Sequence, residues 1–367
     1  MSLLRHFRPV PPATPAAPTP RVSTASPLVV VITGASSGIG HATALAFART
    51  GACLVLASRH AETLAPVAKA CRAEGASAAL GVPTDVTDAE AVDKLARTAM
   101  GHHGRIDVWV NGVGVGAVGW FDETPVAAHR RVVESNLLGH LYGAHAAMRH
   151  FRARGQGRLI NLISVGGWVP SPMAAAYTAS KFGLRGLSAA LRAEVSHLPD
   201  VHVCDVAPTF VDSPGLSHAA NYTGRNIQPT LPLLNPRRVA DAVVGLAQSP
   251  RPRAVTWLGA AAGPGRLAQA VAPQGVGSLM RWGMEKALGL ANPAPPTDGN
   301  LFAPSRGTDV DGGQRKATHQ ALGRIAALGA MGVVLGLWAA RQQPSGAGAG
   351  GRVGKEPARI EGPGPAI

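Results

Sequence analysis

Aromatic residues make up only 4% of the 367-residue chain, and just three of them are tyrosines. Cysteine is equally sparse. Cys53, Cys71 and Cys204 are odd in number and far apart, with no Cys-x-x-Cys pair and no histidine at ligand spacing. That excludes a disulfide framework and a zinc site, and leaves buried thiols as the expectation. Charged residues amount to 15%, and acids are the scarcer sign: 21 Asp and Glu against 35 Lys and Arg, a formal net charge of +14. The basic residues are mostly scattered arginines, without a run of five and without interleaved aromatics, so nothing points to nucleic acid. Such a surface would still attract an anionic cofactor. Residues 1–27 lack an apolar core long enough for a secretory signal and are rich in Pro, Ala and Thr, which implies a disordered tail and a cytoplasmic protein.

What is present is a sizeable core, since 46% of the residues are hydrophobic. From Leu28 onward, β-type apolar runs alternate with helical stretches. The runs are 28–32, 54–57, 107–110, 158–163, 201–206 and 254–258, and the helix-like segments between them include 61–74 and 87–101. The runs are nearly continuous rather than alternating, as strands buried on both faces should be. This pattern predicts an α/β fold, a parallel sheet covered by helices on both sides, over residues 28–260. Residues 261–300 read as a helical extension broken by Gly and Pro, 301–320 as a polar linker, and 342–367 as a second disordered tail. Between these last two lies the apolar segment 321–341. Its uncharged part, 325–340, is sixteen residues long, short of the ~20 that span a bilayer. It is apolar all round, bracketed by Arg324 and Arg341, and holds a Gly-x-x-x-Gly pair at Gly332 and Gly336. A membrane anchor, a docked helix and a dimerising helix remain open.

Two short motifs carry chemistry. The first strand runs into Thr33-Gly34-Ala35-Ser36-Ser37-Gly38-Ile39-Gly40. Glycines at a strand-to-helix turn let a pyrophosphate approach the backbone, and the helix that follows offers free N–H groups and the positive end of its dipole. The second motif is Tyr177-Thr178-Ala179-Ser180-Lys181. A Tyr and a Lys four residues apart on a helix share one face. A positive charge beside a phenol lowers its pKa, which would make Tyr177 a proton donor usable near neutral pH.

Together these motifs resemble the short-chain dehydrogenase/reductase family, over about residues 28–260. Further motifs follow in the family's order: Asp85-Val86, Asn111-Gly112-Val113-Gly114, Asn136, Ser164 and Pro208-Thr209. The resemblance implies a Rossmann-type, doubly wound parallel sheet of about seven strands in the order 3-2-1-4-5-6-7. It implies Tyr177 as general acid/base, and Lys181 lowering the pKa of Tyr177 and holding the nicotinamide ribose. Ser164 would polarise the substrate oxygen, and Asn136 would position a relay water. It carries cofactor contacts over to Thr33, Gly34, Ser36, Ser37, Gly38, Ile39, Gly40, Ser58, Arg59, Asp85, Val86, Asn111, Gly112, Val113, Tyr177, Lys181, Pro208, Thr209 and Val211. No metal is implied.

At the end of the second strand, an acid would bind the ribose hydroxyls of NAD. This chain has Ser58-Arg59 instead, which suits the 2′-phosphate of NADP, so NADP is expected over NAD. Gly112-Val113 and Thr209 depart from the family's usual Asn-Ala and Gly. They leave standing a second reading, a protein that binds the cofactor but catalyses weakly and serves a binding or structural role. The stretches after Ser164 and Thr209 carry Trp168, Val169, Pro170, Met173, Phe210, Leu216, Leu231 and Leu233, which suits an apolar carbonyl or alcohol substrate. A homo-oligomer is expected.

Overall fold

A computed structural model describes residues 26–226, 233–260, 262–303 and 307–315. In chain order the first half runs β1 (Val29–Thr33), α1 (Gly38–Ala48), β2 (Cys53–Ser58), α2 (Ala61–Ala73), β3 (Ala78–Pro83), α3 (Ala89–His103), β4 (Val108–Asn111), β5 (Ala117–Val118), α4 (Val126–Val133) and α5 (Gly139–Arg154). The second half runs β6 (Gln156–Leu162), α6 (Ala175–Glu194), β7 (Asp200–Pro208), α7 (Pro214–Ser217), β8 (Ala220–Asn221), α8 (Pro236–Gln248), β9 (Val255–Leu258), α9 (Ala262–Val271) and α10 (Pro273–Leu290).

Seven strands form one parallel sheet in the order β3-β2-β1-β4-β6-β7-β9. Numbered within that sheet alone, the order is the expected 3-2-1-4-5-6-7. β5 and β8 form a separate two-stranded patch.

The two-residue period of a strand divides its apolar residues between the faces. Val30, Ile32, Leu54 and Leu56 join α1, α2 and α8 in one core, and Val31, Val55 and Trp109 join α3 and α5 in the other. Both faces are therefore buried, which is why the strands read as continuous apolar runs. Local signals set the helix ends. The Asp88 carboxylate accepts from the Glu90 and Ala91 amides at the start of α3 (2.9 and 3.3 Å), and Gly104 ends it at φ 70°.

The helical extension is present as α9 and α10. The expected linker is no simple spacer: Leu301 is fully buried and Val310 nearly so. Among the described residues, no helix is long and apolar enough to cross a membrane. The segment 325–340, residues 1–25 of the first expected tail and the whole of the second lie outside the described residues.

Candidate active site

The order reversal between β1 and β4 opens a crevice at the carboxyl ends of the strands, where ligands of doubly wound sheets bind. The turn leaving β1 lines it. Gly34 and Gly38 adopt φ 71° and 54°, conformations that glycine enters without cost. A Cβ on Gly40 would strike the Gly34 carbonyl, so the loop closes tightly onto α1. Ser37, the residue before α1, makes no side-chain cap, and the first turn of the helix carries no acid. This is a cradle suited to a pyrophosphate, so the glycine motif fits the group it was read to hold.

The turn leaving β4 lies directly against it. The Gly112 amide donates to Thr33 Oγ1 (3.1 Å), and a Cβ on Gly112 would come within 2.5 Å of the Thr33 carbonyl. Gly112 thus lets the two turns touch, which accounts for one departure from the family pattern. The other has a similar cause. Thr209 faces Gly259, where any Cβ would collide with the Thr209 side chain. The bulk that Thr209 adds is taken up beside β9.

Asn111, expected among the cofactor contacts, spends its side-chain hydrogen bonds within the protein. Its side chain is fully buried beneath the crevice, accepting from Trp109 Nε1 (2.8 Å) and donating to Asn161 Oδ1 (2.9 Å) and the His140 carbonyl (3.1 Å). A polar side chain on a buried strand needs such partners, and here they tie β4 to β6 and α5.

Three of the expected catalytic residues converge at the start of α6. The β6 strand ends at Leu162, and Ser164 follows, its Oγ accepting from the Gly166 amide at 3.0 Å. Gly166 and Gly167 have no side chains, which lets this turn lie against α6. A Cβ on Gly166 would be 3.1 Å from the Tyr177 ring. Lys181 is 2% exposed, donates from Nζ to the Leu162 carbonyl (3.0 Å), and sits 5.7 Å from the Tyr177 ring centre. Asn136 lies in a π-helical turn, Glu134–Leu138, of a kind that recurs at functional sites. Its Oδ1 accepts from the Val115 amide (2.8 Å), and its Nδ2 donates to the Val115 carbonyl (2.9 Å) and to Ser180 Oγ (3.2 Å). Asn136 thus reaches Tyr177 through Ser180, whose hydroxyl donates to the Tyr177 carbonyl at 2.7 Å.

The electrostatics differ from the expected picture. Burial pushes the Tyr177 phenol above its usual value, and a hydrogen bond from Ser164 pulls it back only in part. Burial also drops Lys181 to about 7, so its ammonium is only partly charged at neutral pH. A half-charged lysine cannot depress the phenol as a full cation would.

At the other end of the crevice, Ser58 Oγ donates to the His60 carbonyl (3.3 Å) and lies 3.2 Å from Thr63 Oγ1. Arg59 is half-buried, and burial and then Arg131 lower its pKa. Asp85 accepts from the Thr87 amide (3.0 Å), Thr87 Oγ1 (2.8 Å) and Arg131 (3.1 Å). Burial alone would raise the Asp85 carboxyl, but Thr87 and Arg131 hold it below its usual range. Val86 is buried in the cluster of Val31, Val55 and Trp109, and Val211, which follows β7 and bridges to Leu234, is buried in the cluster of α1 and α8. Arg131 escaped the sequence reading, because nothing around Arg130-Arg131 says that the end of α4 meets Asp85 and Thr87 after β3. Met173, expected on the substrate side, has a backbone that no residue pattern announces: at φ 59° it is left-handed, rare for a residue with a Cβ, and its carbonyl accepts from the Gly119 amide at 2.9 Å. Of the apolar residues suggested for the substrate, Trp168 packs edge-on to Trp257 at 4.3 Å, Phe210 is exposed, and Leu231 lies outside the described residues.

Comparison with known proteins agrees with this geometry. Residues 28–222 match the family model described as short chain dehydrogenase. The chain is 37% identical over 186 residues to an 11-beta-hydroxysteroid dehydrogenase A of Sesamum indicum, a match covering 50% of this chain and 53% of that one. It is 39% identical over 226 residues to a cis-4-hydroxycyclohexanecarboxylate dehydrogenase of Sinomonas cyclohexanicum, covering 60% and 88%. A solved metagenomic short-chain oxidoreductase in complex with NADP superposes with a TM-score of 0.54 at 30% identity, covering 63% and 96%. The chain spans about half the length of the Sesamum relative and 63% of an uncharacterized oxidoreductase of Bacillus subtilis.

Proposed function

The chain belongs to the short-chain dehydrogenase/reductase family, and from that premise we propose that it is an NADP-dependent oxidoreductase that interconverts a carbonyl compound and its alcohol. The observation that carries this reading is the convergence of Ser164, Tyr177 and Lys181 on one turn against α6. The nicotinamide supplies or accepts the hydride when bound. Tyr177 gives its phenolic proton to the carbonyl oxygen in reduction and takes it back in oxidation. A phenol is ordinarily protonated at neutral pH, and burial, by raising its pKa, reinforces that form, the one that reduction requires. Ser164 holds the substrate oxygen beside that phenol. Lys181, anchored on the Leu162 carbonyl, holds the nicotinamide ribose and replenishes the proton.

The glycine turn takes the pyrophosphate, Asp85 and Val86 lie beside the adenine, and Arg59 takes the 2′-phosphate. An arginine pairs with a phosphate in a charge-assisted, bidentate manner, which supports NADP over NAD. For the substrate, the names of the Sesamum and Sinomonas relatives both denote a hydroxyl group on a saturated carbon ring. With the apolar Trp168 ending the turn that Ser164 opens, we favour a ring-borne secondary alcohol or its ketone.

Tyr177→Phe tests the mechanism. It removes the proton donor and keeps the ring, so turnover of a cyclic ketone should fall roughly a hundredfold or more while NADPH binding persists. Turnover near that of the parent would overturn the assignment.

A further inference from the structure

After α10 the chain turns back across the molecule. Thr297 and Asn221 exchange backbone hydrogen bonds, both 2.8 Å, and Leu301 then enters the fully buried cluster of Val115 and Val132 on which Tyr177 packs. At this point the carbonyls of Asn300 and Leu301 accept from the Arg59 guanidinium at 3.1 and 3.3 Å, and Arg131 donates to the Leu301 carbonyl at 3.1 Å. Residues 307–315 reach the other end of the crevice. The Thr308 carbonyl accepts from His41 Nδ1 (2.6 Å), and the Asp309 carbonyl accepts from the Gly38 amide (2.8 Å) at the start of α1. Val310 seals this contact against Ala42, Ala46 and Ala240. Asp212 fixes the end of the segment: its carboxylate accepts from the Gln314 and Arg315 amides (2.9 and 3.3 Å).

The two donors that the proposed reading gives to phosphates, Gly38 N–H and Arg59, are thus both engaged by carbonyls of one stretch of chain. We propose that residues 297–303 and 307–315 form an intrasteric strap that competes with NADP for the crevice. A neutral carbonyl is a weaker acceptor than a phosphate for a guanidinium or a helix N-terminus. The nucleotide therefore displaces the strap, and its apparent affinity is reduced by the fraction of molecules in which the strap is seated. The two ends act in concert, because the pyrophosphate and the 2′-phosphate each require the same segment to leave. The proposal rests on the reading of this crevice as the NADP site.

The test uses the full chain carrying Val310→Asp, which places a carboxylate in the apolar seat of the strap without touching any group that would meet the nucleotide. NADPH binding, followed by nucleotide fluorescence at equilibrium, should tighten by roughly five- to tenfold. In the parent, NADPH should accelerate tryptic cleavage at Arg315, and in the variant that cleavage should be fast without nucleotide. Asp311→Ala, which removes the ion pairs to Arg237 and Arg315, should move both readouts the same way and guards against a folding defect. Unchanged or weaker binding in both variants, or protection of Arg315 by NADPH, overturns the strap while leaving the NADP reading intact. Binding of NADPH by neither parent nor variants overturns both.

Discussion

Lys181 is a base whose folded pKa, about 7, lies below its ordinary 10.5 because it is buried. Below pH 7 the folded and unfolded chains both carry the proton, and the folded chain bears the full cost of burying it. Between pH 7 and 10.5 the unfolded chain binds more protons, so this group makes the fold more stable as the pH rises through that window. Lys181→Met keeps the apolar stem and removes the ammonium. It should stabilise the protein at pH 6–7 by about 1–3 kcal/mol, with the gain shrinking toward pH 10, while abolishing turnover. Thermal melts at several pH values check this, and a variant no more stable than the parent at pH 6.5 would show that the buried amine carries no cost. Arg59 makes a second residue-scale case. Arg59→Asp puts a negative charge against the 2′-phosphate, so the ratio of NADPH to NADH catalytic efficiencies should fall by at least about tenfold. An unchanged ratio would locate phosphate recognition elsewhere, with Arg131 the first alternative.

Among the elements, the approach of α5 to β4 depends on a missing side chain. A Cβ on Gly143 would strike Asn111 Oδ1 and come within 2.8 Å of Trp109 Nε1. Gly143→Ala should therefore break the Trp109–Asn111 hydrogen bond and cost about 2–4 kcal/mol, measured by urea unfolding. A loss below about 0.5 kcal/mol would mean that α5 slides freely on the sheet. Such approaches were not legible in the sequence. The strands were, because β1, β2 and β4 are buried on both faces and leave unbroken apolar runs. The neighbourhood of Ser164, Tyr177 and Lys181 was legible because these are side chains at fixed spacings, and the role in proton transfer is what we propose for them. The core-facing bonds of the Asn111 side chain were not legible, because a polar residue at a strand end looks the same whether it faces a ligand or the core. The polar stretch after 301 looks like a linker in sequence because its contacts to Arg59, His41 and Gly38 are made by the carbonyls of residues 300, 301, 308 and 309, which leave no signature there, and among its described residues only Leu301 and Val310 bury apolar side chains.

At the scale of the whole molecule, base exceeds acid, and ion pairing leaves that excess unchanged. Asp85, Asp107, Asp205 and Asp212 all sit in ion pairs with arginines, against a formal net charge of +14. The field outside the protein is therefore positive, and it should steer an anionic dinucleotide toward the crevice. Stopped-flow association of NADPH should slow by several-fold between about 20 and 300 mM salt, as the screening length contracts. A rate indifferent to salt would confine the attraction to direct contact.

The position of the strap along the chain has a consequence in time. The last strand of the sheet ends at Leu258, and the first residue of the strap to pair with the domain is Thr297. At ribosomal rates of roughly 5–20 residues per second, that interval amounts to about 2–8 seconds. During synthesis the sheet can close around its crevice before the segment that later covers it has emerged from the ribosome. The dinucleotide and the strap thus reach the glycine turn in a fixed order, with the small molecule first. A newly made molecule can begin life loaded, whereas one that has lost its nucleotide must reopen before it binds again.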